Sequence, residues 1–194
     1  MSRLIHPPGL ATLGPCRNEH GSQIAEFAVS LPLLVVFVVG IFDFSGAFSL
    51  KQKLANAARE GARAAAADPA NDVSTTSTVV PASVSDAYQV VDNYLLAEKI
   101  NDCRLSTKTP TYVSGLTWSS TTTGSCPGSG IILTINRGCV TQQTLDGITT
   151  SMVATCVTIT YAYAWRYNAV SSLVGNSVMG PSNLTTTAVA YNEN

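Results

Sequence analysis

The sequence predicts an α+β fold in which one long N-terminal transmembrane helix continues into a head built on an antiparallel sheet. Three observations carry this. Residues Phe27 to Phe42 form a run of sixteen without a charge. The stretch after it stays strongly helix-forming as far as Ala67. From residue 111 onward, segments rich in β-branched and aromatic residues alternate with turn formers. Composition agrees, because only 12% of the 194 residues are charged while 45% are apolar, an unusual balance for a fully water-soluble chain of this length. That length suits one ordinary domain plus an anchor.

The first 21 residues, "MSRLIHPPGLATLGPCRNEHG", hold three prolines and three glycines without periodicity, so they read as a leader and join no packed core. A single helix is then expected from about Ser22 to Ala67, with the membrane-crossing part at about 27–50 and the rest projecting. Sixteen helical residues span about 24 Å, short of a hydrocarbon core of about 30 Å, and continuing through Asp43 to Leu50 makes up the difference. A cleaved secretory signal would have a shorter apolar region followed by a small-residue cut site. Pro32 lies inside the helix and is expected to bend it, which membrane helices tolerate.

Residues 68–194 form the head. "DVSTTSTVVPAS" (72–83) reads as a linker or loop, and "SVSDAYQVVDNYLLAEKIN" as a helix capped near Ser85. Strands are expected over 111–120, 130–137, 152–167 and 183–191. In the third, Val157, Ile159, Tyr161, Tyr163 and Trp165 share one face, so that face belongs to the core and the sheet is antiparallel, packed on the helices.

Along the helix, Ala57, Gly61 and Ala65 recur every four residues, as do Ala58, Ala62 and Ala66. Two small-residue ridges of this kind admit a close backbone, either a neighbouring subunit's helix or an element of the same chain. Arg59 and Arg63 also lie four apart and repel unless an acid meets them. From Asp68 onward there are five basic and eight acidic residues with no basic stripe, which argues against nucleic acid as a partner.

Gly21, then Ser22-Gln23-Ile24-Ala25, then Glu26-Phe27 opening an apolar helix resembles the processing site of type IV-type prepilins. There a prepilin peptidase cuts directly after the glycine, and the glutamate becomes the fifth residue of the mature chain. More closely, "AEFAVSLPLLVVFVVGIFDFSGAFSLKQKLANAAREGARAAA" resembles the N-terminus of TadE-like pseudopilins of tight-adherence (Tad, Flp-type) pilus systems. The resemblance covers residues 21 to 67 and becomes loose beyond them. It implies a pilin-like head, cleavage between Gly21 and Ser22, and recognition of Glu26 and Phe27 by the peptidase or by sibling subunits. The partners it implies are the membrane, the peptidase, other pilins or pseudopilins and the Tad assembly platform. The implied location is the cytoplasmic membrane, single-pass, with the head outside or within a surface pilus.

Physical chemistry gives Glu26 a reason. Cleavage after Gly21 would expose an amine on Ser22, mostly charged at pH 7 because α-amino groups titrate near 7.7 to 8.0. That amine lies one turn from Glu26 and can pair with it or with Glu26 of a neighbour. The bland alternative is an interfacial residue welcomed by a helix N-terminus. Asp43 is left open between an outer-interface position and a subunit contact.

Five cysteines are an awkward number for an exported chain, but Cys16 falls in the leader. Cys103, Cys126, Cys139 and Cys156 remain, enough for two disulfides in an oxidising compartment with three possible connectivities. Cys103 with Cys126 and Cys139 with Cys156 is the expected pairing. A zinc site is disfavoured by the lack of any CxxC pair. The only histidines, His6 and His20, precede the cut, which removes the commonest general base from the mature chain. No nucleophile motif appears either, so no enzyme activity, metal or cofactor is expected.

Orientation carries a tension. Arg3 and Arg17 precede the apolar run, and Lys51, Lys53, Arg59 and Arg63 follow it, so the positive-inside rule favours the opposite topology. Cysteine parity and the processing pattern place the head outside. Two functions stand: a minor pilin, or a signal-anchored adhesin or binding protein that is never assembled.

Overall fold

The computed structural model describes residues 19–69, 79–166 and 182–192. Contacts divide the chain into two compact units, Met1–Val38 and Val39–Asn194. Helix α1 runs from Glu19 to Ala67, unbroken through Pro32. It starts three residues before the expected Ser22, a displacement of less than one turn. Most of the expected 72–83 loop and the greater part of the leader, Cys16 included, lie outside the described residues.

In the second unit α1 is followed by α2 (Ala82–Ala97), a 3₁₀ turn at Leu105–Thr107, and strands β1 (Thr111–Ser114), β2 (Thr117–Thr122), β3 (Ile131–Leu145), β4 (Ile148–Tyr163) and β5 (Ser182–Tyr191). The strands form one sheet in the order β1-β2-β3-β4-β5, with every neighbouring pair antiparallel. Sequence and structure differ in three places here. Helix α2 starts directly after Pro81, whose ring fixes an extended N-cap (φ −63°, ψ 153°), and not near Ser85. The expected strand 111–120 is a hairpin, because Gly115 turns it at φ 55°. Strands β3 and β4 continue well past 137 and before 152, joined at Asp146-Gly147 with both residues at positive φ, the type I′ signature of a two-residue hairpin. Residues 141–151 are mostly Thr, Gln and Ser, so no apolar alternation advertised this ribbon.

One face of the sheet is covered by helices. Leu54, Ala57, Ala58 and Ala62 of α1 and Ala87, Val91 and Leu95 of α2 are buried with Leu133, Ile135, Val157 and Ile159 of the central strands. The alternation expected for β4 holds from Val157 to Tyr161, with Thr158 and Thr160 only partly buried; Ala162, expected on the other face, is buried as well, and the strand ends at Tyr163, short of Trp165 and the expected 167. On the opposite face threonines pair across strands, Thr158 with Thr187 at 2.9 Å and Thr160 with Thr185 at 3.1 Å.

The inward positions Ile131, Leu133 and Ile135 of β3 are followed by Arg137, which is also buried. Its guanidinium donates to the carbonyl oxygens of Ala65 and, at 3.0 Å, of Asp68, at the C-terminus of α1. The last turn of α1 has no basic residue of its own, so Arg137 supplies the cation that the helix dipole and the orphan carbonyls call for. The same guanidinium donates to Thr155 Oγ1 (2.9 Å) and Asn192 Oδ1 (3.3 Å), and Asn192 Nδ2 donates back to the Arg137 carbonyl (3.2 Å). One side chain thus gathers the helix end, β4 and the residue after β5. Arg137→Met keeps the volume and removes the donors. It should cost about 3 kcal/mol, seen as a lower urea midpoint of the full chain in detergent.

Gly61 marks the closest helix approach. A Cβ built there would lie 2.5 Å from Val91 Cγ2 and 3.3 Å from the Ala87 carbonyl oxygen. Gly→Ala in a free helix gains about 1 kcal/mol, but Val91 is β-branched on a helix and has almost no alternative rotamer to retreat to. The clash wins. Gly61→Ala should lower stability by about 1 kcal/mol net, measured as a fall in Tm.

Candidate functional site

The features that bear on function lie along α1. In its first part the apolar side chains point outward: Ile24, Phe27, Leu33, Leu34 and Phe37 are all exposed within the chain. The helix is long and apolar enough to cross a membrane, and none of its most apolar window is buried. Gly21 and Ser22 lie in the first turns of α1, Glu26 is exposed, and Phe27 begins the apolar surface.

Beyond residue 38 the same helix has a buried stripe. Asp43, Ala47, Leu54, Ala57, Ala58, Ala62 and Ala65 are buried at helical spacing, and Leu50 packs against the core from its edge. Ala57, Gly61 and Ala65 therefore face elements of their own chain, with Gly61 against Ala87 and Val91 of α2. Arg59 and Arg63 are met within the helix, by the Asn56 side chain at 3.2 Å and the Glu60 carboxylate at 3.3 Å. Lys53 pairs with Glu98 at the end of α2 at 3.0 Å.

Asp43 is engaged within its own chain, a role the sequence reading did not include. It is 8% exposed and its Oδ1 accepts the Arg166 backbone N–H at 3.0 Å, so it receives the chain where β4 ends. The Tyr163 hydroxyl donates to the Asp43 carbonyl at 3.5 Å. Phe44 meets Trp165 edge to face at 5.5 Å, and Trp165 meets Tyr163 at 5.4 Å. Burial raises the Tyr163 phenol above its usual range, Asp43 adds to the rise, and Arg166 opposes it. Sequence reasoning missed this junction. The signal was present, since Asp43 stands four before Ala47 and eleven before Leu54, on the core stripe and not off it.

The cysteines join as Cys103–Cys126 and Cys139–Cys156, the expected pairing. The first ties the segment after α2 to the β2–β3 loop, and the second links β3 to β4 across a register shift between Asn136 and Cys139. Near the first bridge, the Tyr88 hydroxyl donates to the Leu105 carbonyl at 2.8 Å and lies 3.1 Å from Ser120 Oγ. One turn on, Asp92 is 7% exposed. Burial is the main cause holding its carboxyl above the usual carboxylate range, and the neighbouring Asp102 carboxyl adds both charge and a hydrogen bond. Among the described residues no group of three His, Cys, Asp or Glu is placed to hold a metal ion.

With this geometry in view, the comparisons are specific for α1. Residues 21–63 match the family model of TadE-like proteins, so this stretch of the chain is TadE-like. No curated protein and no solved structure matches the chain.

A raised carboxyl in the folded state means that the unfolded chain gives up this proton at lower pH. Between the ordinary carboxylate range and the folded value the native state binds more protons, so stability falls as pH rises through that window. Asp92→Asn removes the penalty. The variant should melt above the native chain at pH 7, and the gap should close as pH falls to about 4, followed by thermal denaturation across that range.

Proposed function

We propose that this chain is a minor pilin or pseudopilin of a Tad-type pilus system, cut after Gly21 by a prepilin peptidase and assembled through its apolar helix. The observation that carries the reading is the TadE-like stretch from Gly21 to residue 63, in which Glu26 stands five residues past the glycine at the start of an apolar surface. The TadE-like family is not a family of enzymes, and the role is structural: membrane insertion, then lateral association with other pilins and the assembly platform.

The chemistry of assembly follows from the helix. An exposed apolar surface is satisfied by lipid or by other helices, and a carboxylate within it needs a cation. The new amine on Ser22 is that cation, from the same chain or from a sibling. Cleavage requires the first turn of α1 to open around Gly21, which frayed helix ends allow at little cost. Two disulfides support a head on the oxidising side of the membrane, against the positive-inside count. Lys53 and Arg63, two of the cations in that count, already have carboxylate partners in the chain.

The test is the mass of the native polypeptide from the membrane fraction, expected to begin at Ser22. An intact leader would instead favour a signal-anchored binding protein. Glu26→Ala should insert as well as the native chain and yet reduce assembled pili about tenfold or more, the effect of losing about 1.4 kcal/mol of pairing. Insertion is read by carbonate extraction and assembly by shearing of surface fibres.

A further inference from the structure

A cleft of about 300 Å³ opens in the second unit between α1, the end of α2 and the end of β4, lined among others by Gly46, Ser49, Lys53, Lys99, Tyr163 and Arg166. We propose that this cleft binds the phosphate of an anionic phospholipid headgroup and so fixes the head against the membrane surface.

Three observations support it. The first is charge: the lining holds the cations Lys53, Lys99 and Arg166 against the single carboxylate of Glu98. Glu98 is engaged by Lys53 at 3.0 Å, and among the described residues neither Lys99 nor Arg166 makes an ion pair. Basic pockets at the level where a helix leaves lipid are suited to phosphate headgroups. The second is position along α1. The uncharged run ends at Phe42, Asp43 is taken into the head by the Arg166 N–H, and Gly46, the first α1 residue in the cleft lining, follows within one turn. The third is the aromatic set here: Tyr163 lines the cleft and Trp165 packs edge to face on both Tyr163 and the exposed Phe44. Aromatic side chains with one polar end mark the boundary between lipid and water.

Lys99 and Arg166 are both held from the backbone. The Arg166 N–H donates to Asp43, which sets where its side chain departs. Lys99 closes α2 in a Schellman arrangement, its own N–H on the Leu96 carbonyl and that of Ile100 on the Leu95 carbonyl, both near 3 Å. It sits at φ 56°, where glycine is favoured, and places a cation at the cleft instead.

The inference requires only that α1 cross a membrane, not that the chain enter a pilus, so it stands or falls apart from the N-terminus at Ser22. The test uses the full chain in nanodiscs of phosphatidylcholine, with and without phosphatidylglycerol at a third of the lipid. A rise in Tm of several degrees with phosphatidylglycerol is expected, lost in Lys99→Gln/Arg166→Gln. Equal Tm in both lipids, or a rise that the variant retains, overturns the proposal. So does the same rise from millimolar inorganic phosphate in phosphatidylcholine alone, which would assign the cleft to a free anion. A second readout needs no variant: tryptophan emission of the native chain, in which the fully buried Trp118 is a constant background to Trp165, should be quenched more by brominated phosphatidylglycerol than by brominated phosphatidylcholine at equal mole fraction. Equal quenching also overturns it.

Discussion

One helix has to satisfy two solvents, and the rest of the structure follows from that constraint. Before residue 38 the apolar side chains of α1 are exposed on every side, as a segment bound for lipid or for other helices must be. After it, one stripe turns inward to a core and the opposite side becomes charged, with Lys51, Arg59, Glu60 and Arg63 all exposed. The change of rule occurs at Asp43. A carboxylate there is acceptable because the Arg166 backbone N–H meets it, so the helix enters the head at the residue that would be most costly in hydrocarbon.

The far end of the same helix is governed by the same need to satisfy polar groups. The last turn of α1 has no basic residue, and Arg137 reaches the carbonyls of Ala65 and Asp68 from β3, about seventy residues later. Between these ends the contact with α2 is set by the lack of a side chain at Gly61. Asp43, Gly61 and Arg137 therefore fix the entrance, the spacing and the exit of α1 within the head. None of the three contributes much apolar area, which the alanines, leucines and valines around them supply.

These points explain which parts of the fold were legible in the sequence. The helix, the inward face of β4 and the number of disulfides each rest on a local pattern: an uncharged run, a period of two, a parity count. The hairpin at Gly115 and the ribbon turning at Asp146-Gly147 rest on backbone conformation in segments where polar residues hide the period. Arg137 and Asp43 were illegible for a different reason, since a charged residue is ordinarily a surface residue and only distant partners make its burial tolerable. The position of Asp43 on the core stripe could have been read by extending the spacing of Leu54 and Ala47 one turn further back.

The contrast between the two carboxylates of α1 bears most directly on function. Asp43 is answered inside the chain. Glu26 is exposed and, among the described residues, has neither a hydrogen-bond nor an ion-pair partner, and it stands at the start of the uncharged run. The helix dipole favours an acid near the start of α1, but nothing among the described residues engages the Glu26 carboxylate itself. Under the proposed function, the cation that would meet it is the amine that cleavage after Gly21 would create on Ser22. Of these two carboxylates, the buried one is engaged by the fold and the exposed one is the one the proposed function calls on.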